Sequence, residues 1–250
     1  MRTISLFSCG AASAVATKLI LAEEPNTLIY NTEIIEEHID NRRFLYDCEK
    51  WYGKSIIRWR NDKYNGSIYE VFEKQNWIKG PNGATCTKHL KRSLYKNMFQ
   101  PGDTMVIGFT VEEEHRLKRL IHGVGGPDGV KIRAPLIEKA LTKNDCLGLL
   151  ANAGIEIPEM YKLGYSNNNC IGCVKGGKGY WNKIRVDFPD VFERMAAMEE
   201  KTKCSFFKET KKGGPRTTLR DLKLGEGAIL KEPNISCGFF CQMAEEEMND

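Results

Sequence analysis

Residues 8–13, with the sequence Ser-Cys-Gly-Ala-Ala-Ser, have the composition of an anion-binding loop. An apolar run precedes them and a run rich in Ala and Leu follows, which predicts a strand, a tight turn and a helix. Gly10 permits the turn, and the first helical turn offers unpaired N–H groups at the positive end of the helix dipole. The hydroxyls of Ser8 and Ser13 add donors for phosphate oxygens. The pattern therefore predicts a phosphate site, with an N-capped helix after a turn as the simpler alternative.

Two pairs of cysteines have the spacing of metal ligands. Cys170 and Cys173 are separated by two residues in a stretch rich in Gly and Asn, and Cys237 and Cys241 are separated by three residues near the end of the chain. Four thiolates suit zinc or an iron-sulfur cluster. The alternative is that these cysteines are structural thiols, or that only the first pair binds a metal.

The distribution of charge and apolar residues limits the class of protein. The formal net charge is +4, and residues 201–231 are rich in Lys and Arg. Such a stretch is either a solvated surface or a contact for a polyanion such as nucleic acid. Lys18 and several polar residues interrupt the apolar run at 4–22, so we expect neither a signal peptide nor a membrane span. A cytoplasmic protein is the expectation, and reducing compartments keep thiols from forming disulfides.

The order of the predicted elements is that of an α/β protein. Strands are predicted at residues 3–7, 27–30, 55–59 and 104–109, and helices at 11–22, 34–52, 67–75, 88–98, 112–121, 142–153 and 188–202. Loops are predicted at 122–130 and 167–179. This alternation favours a central, mostly parallel twisted sheet with flanking helices, which binds ligands at the carboxyl ends of its strands. We predict an α/β nucleotide-binding domain over residues 1–165 and, packed on it, a cysteine-bearing module of helix and loop over 166–250.

Further short segments form an ordered series. They are Thr32 after the second strand, Cys-Thr-Lys-His-Leu-Lys at 86–91, Ile-Gly-Phe-Thr-Val-Glu-Glu-Glu-His-Arg at 107–116, Ala-Pro-Leu-Ile at 134–137 and Tyr-Lys-Leu-Gly-Tyr at 161–165. With the Ser-x-Gly-x-x-Ser loop, the series resembles the phosphoadenosine phosphosulfate (PAPS) reductase-like family of the PP-loop superfamily, whose fold is adenine nucleotide alpha hydrolase-like. The resemblance covers residues 4–175. The chain departs from it at Cys9, where many members have Gly, at Ala12, where ATP-cleaving members often have Asp, and at Thr110, which replaces an Arg.

The resemblance implies that an adenine nucleotide, either ATP or a sulfonucleotide such as PAPS, binds at the loop. The nucleotide-binding residues that it implies are Ser8, Cys9, Gly10, Ala11, Ala12, Ser13, Thr32, Lys88, Lys91, Glu113 and Arg116. By their chemistry, the cations of this set could offset phosphate charge, and Glu112 or Glu113 could orient Arg116 or hold the Mg²⁺ that accompanies ATP. For each of these charged residues the alternative is a solvated helix face. The resemblance also favours a four-iron four-sulfur cluster, with zinc still open, whose ligands would be Cys170, Cys173, Cys237 and Cys241, with Cys86 as a further candidate.

Three functions are compatible with these residues. An ATP-dependent enzyme would adenylate or thiolate a substrate, take sulfur from a donor and reach a nucleic acid through the basic stretch. A sulfonucleotide reductase would use Cys237 as its nucleophile and a thioredoxin-like protein as reductant, although Ser236 and Phe240 replace the Glu and His of the reductases' carboxy-terminal motif. The third function is a non-catalytic nucleotide- and metal-binding module that contacts nucleic acid. The sequence does not decide between a monomer and a homo-oligomer.

Overall fold

The sheet is the centre of the fold. The computed structural model describes residues 1–80, 83–95, 97–122, 128–207 and 216–228. Its strands are β1 (Thr3–Leu6), β2 (Leu28–Thr32), β3 (Ile57–Trp59), β4 (Lys79–Gly80), β5 (Gly83–Ala84), β6 (Thr104–Val106) and β7 (Lys131–Arg133). Five of them form a parallel sheet in the order β3-β2-β1-β6-β7, and β4 and β5 form a separate antiparallel pair. The predicted α/β class and parallel central sheet are confirmed.

Helices connect and cover these strands. The α-helices of the described residues are α1 (Ala11–Glu23), α2 (Asn41–Tyr52), α3 (Ile68–Gln75), α4 (Ser93–Tyr95), α5 (Glu114–His122), α6 (Pro135–Glu138), α7 (Lys143–Asn152), α8 (Glu159–Lys162), α9 (Lys178–Asp187) and α10 (Pro189–Thr202). The Thr142 side chain caps α7, accepting a hydrogen bond from the Asp145 amide. Among the described residues, no helix has both the length and the apolar character needed to cross a membrane.

Both faces of the sheet are covered by apolar side chains. On one face Phe7 joins residues of α1, α2 and α7 in a buried cluster, and on the other Ile4 and Met105 join residues that follow α4. Ser5 lies between β1 and α1, where its hydroxyl bonds that of Thr17 at 2.8 Å. Because small side chains fill much of α1, this helix packs close to the sheet and fixes the position of the loop before it.

The helix predicted over residues 34–52 begins only at Asn41. The preceding residues form hydrogen bonds with distant segments instead. The Glu36 carboxylate accepts from the Ser67 hydroxyl at 2.6 Å and from the Ile68 amide at 2.9 Å, and its carbonyl accepts from the Ile171 amide at 2.8 Å. These tertiary bonds satisfy the backbone and stabilise the start of α3, so the helical pattern of the sequence is overridden.

Other boundaries also differ from the prediction. The helix predicted at 88–98 is a π-helical segment, Thr87–Arg92, that continues into α4, and the strand predicted at 104–109 ends at Val106. Strand β7 lies just after the predicted loop at 122–130, and α9 begins inside the predicted loop at 167–179. Both elements are too short or too polar to give a clear periodic pattern.

A third buried cluster joins the two parts into which the sequence was divided. Trp181 in α9 is fully buried and packs against Phe192 and Phe206, with ring centroids 6.2 and 5.3 Å away. The same cluster includes Val71 and Phe72 from α3. Residues on both sides of position 165 therefore share one core.

Glu199 in α10 stabilises the segment that follows this helix. It is 4% exposed and accepts hydrogen bonds from the backbone amides of Leu219 at 2.6 Å and Phe206 at 3.4 Å. Burial raises the pKa of Glu199 to about 7. Its carboxyl group therefore retains a proton in the folded state over a pH range in which it is ionised in the unfolded state.

We predict that this group makes the folded protein less stable as the pH rises. Between the ordinary glutamate pKa and about 7, the folded state binds more protons than the unfolded state, so the free energy of unfolding falls by about 3 kcal/mol across that window. Urea unfolding of the protein at a series of pH values measures the slope. Glu199→Gln removes this contribution, whereas Glu193→Gln, at an exposed position of the same helix, leaves it unchanged. Equal slopes in the protein and Glu199→Gln would contradict the assignment.

Candidate nucleotide site and cysteine segment

The loop after β1 lies where the connections of the sheet diverge. β1 is flanked by β2 and β6, and the chain moves outward to β2 and β3 on one side before crossing to β6 and β7 on the other. The loops after β1 and β6 therefore run to opposite sides, an arrangement that in α/β proteins leaves a crevice at the carboxyl end of the sheet. Residues 8–13 lie at this switch point, where α/β proteins of this topology bind ligands.

Ser13 holds the loop closed. Its hydroxyl donates to the Gly10 carbonyl at 2.9 Å and accepts from the amide and the hydroxyl of Ser8, each at 3.1 Å. Ser13 is buried, whereas Ser8 is exposed. Ser8 is thus an exposed residue whose hydroxyl bonds the buried Ser13, and the Ser13 hydroxyl organises the backbone before α1.

Cys9 occupies the tightest point of the turn. Its φ of 57° lies in the left-handed region that favours glycine, the residue that many members of the resembled family have there. The side chain is 2% exposed, and the amide nitrogen of Asn31 lies 3.6 Å from its sulfur. Burial raises the pKa of the Cys9 thiol, and the charge of Glu37 adds to this effect. A neutral thiol in this position acts as a small packing residue.

A chain of side-chain amides holds the Cys9 carbonyl. Asn168 donates from Nδ2 to the Cys9 carbonyl at 2.6 Å and to the side-chain oxygen of Asn41 at 2.7 Å. Asn41 donates in turn to Glu37 at 2.9 Å. Asn168 and Asn41 are both buried, so this network fixes the strained turn from the side of α2 and of the segment before Cys170.

The first amide of α1 already has a partner. The Ala11 N–H donates to the Tyr161 hydroxyl at 3.3 Å, and a methyl carbon added at Gly10 would lie 3.4 Å from the same oxygen. Ala12 lies in the same first turn of α1. Tyr161, in α8, therefore covers the positive end of α1.

Gly108 closes the crevice on the β6 side. A methyl carbon added at Gly108 would lie 2.7 Å from both the backbone nitrogen and the Cα of Ser13. Side-chain carbons in folded proteins essentially never come this close to backbone atoms. Only glycine therefore allows the segment after β6 to lie this close to α1.

The predicted cationic residues occupy different environments. Lys91 is 9% exposed, whereas Lys88 is exposed. Thr32, at the end of β2, shares a 2.9 Å hydrogen bond with Tyr95. Burial raises the pKa of Tyr95 and the charge of Lys91 opposes that rise. Lys91 also opposes the rise in the pKa of Cys9, so its charge acts on both Cys9 and Tyr95.

Glu113 and Arg116 form an ion pair at the start of α5. Their side chains are each 11% exposed, and the Arg116 guanidinium also lies 4.8 Å from the centre of the Phe109 ring. Glu113 closes a capping box with Thr110, whose amide donates to it at 3.3 Å. The structure therefore favours an orienting role of Glu113 toward Arg116. Thr110, which departs from the family pattern, is a helix cap here.

The segment that carries Cys170 and Cys173 begins beside the loop at residues 8–13, which Asn168 contacts. Cys170 and Cys173 are 6% and 5% exposed. The Tyr180 hydroxyl accepts from the Cys173 amide at 2.9 Å and donates to the Cys170 carbonyl at 3.3 Å, so it fixes the turn between the two cysteines. Cys86 packs against the same cluster. Cys237 and Cys241 lie outside the described residues.

A buried cation follows this cysteine pair in the chain. Within the described ranges, no three His, Cys, Asp or Glu side chains are grouped to hold a metal ion. The Nζ of Lys175, two residues after Cys173, is buried without a hydrogen-bond partner. A buried ammonium group is costly unless negative charge lies close to it, and thiolates that hold a metal carry such charge.

Several residues of the site were not identified from the sequence. They are Asn31, Asn41, Tyr95, Tyr161 and Asn168. Tyr161 lies in a segment that was noted only as a marker of the family, and Asn168 is the middle residue of three consecutive asparagines. The run of asparagines before the cysteine pair was the signal that could have indicated a buried polar network.

Comparison of the chain with protein-family models and with curated proteins gives no match. The structure itself establishes the fold class, an α/β protein with a five-stranded parallel sheet and flanking helices.

Proposed function

We propose that this protein is an enzyme of the PAPS reductase-like type that binds an adenine nucleotide, either ATP or a sulfonucleotide, at residues 8–13. The observation that carries the proposal is the position of this loop at the switch point of the sheet, between the end of β1 and the first turn of α1. Gly108 supports it, because the segment after β6 packs closely against Ser13 and restrains the loop. The ordered sequence motifs support the choice of an adenine nucleotide.

The residues around the loop suit a polyphosphate or phosphosulfate group. The backbone amides of the first turn of α1, other than the Ala11 amide that Tyr161 already accepts, would donate to its oxygens. Lys91 lies within electrostatic range of Cys9 and would offset part of the negative charge. Arg116, held by Glu113, would bind as a planar cation, and Mg²⁺ would accompany ATP.

A thiolate-bound centre at Cys170 and Cys173 would provide the sulfur-related chemistry of the proposed enzyme. A four-iron four-sulfur cluster or zinc is the proposed cofactor, with ligands completed by Cys237 and Cys241 or by Cys86. Asn168 links the cysteine segment to the loop through the Cys9 carbonyl. Nucleotide binding and the metal centre would therefore act within one polar network.

Anaerobic calorimetric titration tests the proposed function. We expect the protein to bind either ATP with Mg²⁺ or PAPS, and we expect Ser13→Ala to weaken binding about tenfold or more because three hydrogen bonds that shape the loop are lost. Ser93→Ala, a serine-to-alanine change at the start of α4, is the matched control.

Each outcome of this titration assigns a chemistry. PAPS bound more tightly than ATP indicates sulfonucleotide reduction, and the reverse indicates adenylation or thiolation. Nucleotide binding in this titration, together with no turnover of the bound nucleotide in a separate assay, indicates the binding module instead of the enzyme. Binding of neither nucleotide contradicts the proposed function.

A further inference from the structure

The Tyr161 hydroxyl is polarised by two backbone amides. Its oxygen accepts from the Ala11 N–H at 3.3 Å, and the backbone amide of Asn168 is a second donor to it. A phenol oxygen that accepts two hydrogen bonds directs its own O–H away from both donors and gives that proton more readily to an acceptor. Within the described parts of the chain, no protein acceptor takes this proton.

The phenol form of Tyr161 persists under physiological conditions. Burial raises the pKa of Tyr161 to about 12, although the two amide hydrogen bonds lower it in part. The side chain thus enters the site as a neutral hydrogen-bond donor. A neutral donor beside the positive end of α1 favours an anion, where a phenolate would repel one.

A lysine lies against the same ring. The Nζ of Lys143 is 5.5 Å from the centre of the Tyr161 ring, donates to the Asn167 side-chain oxygen at 2.8 Å and also bonds the Ser166 carbonyl. An ammonium group has three N–H donors, so two bonds leave one donor for a ligand. Lys143 is within electrostatic range of Glu113, which connects it to the Arg116 side of the crevice.

A buried acceptor at this place also lacks a partner. Asn168 is 6% exposed, and its side-chain oxygen makes no hydrogen bond, although the nitrogen of the same amide donates to the Cys9 carbonyl at 2.6 Å. Such an acceptor requires a donor from a water molecule or a ligand hydroxyl. The loop therefore has both a donor and an acceptor left over beside the amino terminus of α1.

We infer that Tyr161 and Lys143 form the second half of the anion site, and that the Tyr161 O–H and the Lys143 ammonium bind an oxygen of the nucleotide's phosphate or phosphosulfate group opposite the amides of α1. This inference rests on the proposed function. It assigns binding roles to two residues of α7 and α8 that lie far along the chain from the loop. The polyanion is held between the two segments, so its binding joins the loop to the segment that leads to Cys170.

Removal of one oxygen atom tests the inference. We expect Tyr161→Phe to weaken binding of inorganic pyrophosphate about tenfold, because a hydrogen bond to a charged group is lost while the ring remains. Calorimetric titration of the full chain with pyrophosphate measures the change, and thermal unfolding checks that folding is intact. The matched control is Tyr165→Phe, since the Tyr165 hydroxyl donates to Asp187 at 2.8 Å.

A second variant removes the charge. We expect Lys143→Met to weaken pyrophosphate binding and to reduce its dependence on salt concentration, whereas Lys139→Met, at an exposed lysine that pairs with Glu23, leaves both unchanged. Pyrophosphate binding that is equal or tighter in Tyr161→Phe overturns the inference and leaves the phosphate loop standing. If the unsubstituted protein binds neither pyrophosphate nor a nucleotide, the proposed function fails together with the inference.

Discussion

Gly108→Ala is expected to destabilise the protein and to impair the proposed nucleotide site at the same time. The added methyl group would lie 2.7 Å from the backbone nitrogen and Cα of Ser13, and neither atom can move without displacing the start of α1. We expect the free energy of unfolding to fall by about 2 to 3 kcal/mol, which is typical of overpacking against rigid neighbours. We also expect nucleotide affinity to fall about tenfold or more, because the amides of α1 are moved from the ligand oxygens. Urea unfolding and calorimetric titration measure the two effects.

The chain contains a matched control for this substitution. Gly148 lies within α7, and a methyl carbon added there meets nothing within 4 Å. Alanine in an exposed helix interior is more favourable than glycine by about 1 kcal/mol, so Gly148→Ala should raise stability and leave binding unchanged. If Gly108→Ala is as stable as Gly148→Ala and binds nucleotide equally well, residue 108 does not lie as close to Ser13 as described above. If Gly108→Ala loses stability and retains affinity, the crevice is not the nucleotide site.

The sequence was most informative about the first element pair. The apolar run before Ser8, the small residues at 8–13 and the Ala-rich run that follows predict a strand, a turn and a helix, and β1 and α1 confirm all three. Such local signals need only neighbouring residues, because turn sterics and helical periodicity act over a few positions. The order of strands and helices was likewise sufficient to predict a parallel sheet.

Features that depend on distant contacts were not predictable in the same way. Residues 34–40 have a helical pattern, but Glu36 bonds Ser67 and Ile68 and the segment is not helical. The partners of the loop are a comparable case. Tyr161 and Asn168 reach the loop from about 150 positions away, and no local pattern encodes that approach.

The contact of Asn168 with the loop at residues 8–13 has a physical explanation in the strain at Cys9. A residue other than glycine with a positive φ stores about 1 kcal/mol or more, so the surrounding structure must hold it in place. Asn168 supplies that restraint through the Cys9 carbonyl, and Asn41 fixes Asn168. The departure from glycine at position 9 and the asparagines before Cys170 are therefore parts of one arrangement.

Cys173→Ser is expected to have the largest effect on the proposed metal centre. Loss of one thiolate should weaken Co²⁺ binding to the metal-depleted protein at least about hundredfold, because thiolate ligands supply most of the binding energy of such sites. Anaerobic titration with Co²⁺ measures the affinity through the sulfur-to-cobalt absorption band. Cys170→Ser should behave in the same way, and Cys237→Ser tests whether the second pair completes the ligand set.

Cys204→Ser is the matched control for the metal prediction. Cys204 is 2% exposed, belongs to the same buried cluster as Cys170 and Cys173, and donates from sulfur to the Lys79 carbonyl at 3.5 Å. Its substitution changes a buried thiol without removing a proposed ligand, so the cobalt band and affinity should persist. Because a metal that binds only the folded state stabilises it by mass action, a chelator should lower the melting temperature of the metal-loaded protein and of Cys204→Ser, and leave that of Cys173→Ser unchanged. Equal cobalt affinity in Cys173→Ser and Cys204→Ser would assign both cysteines to packing, and the charge of the buried Lys175 would then require another partner.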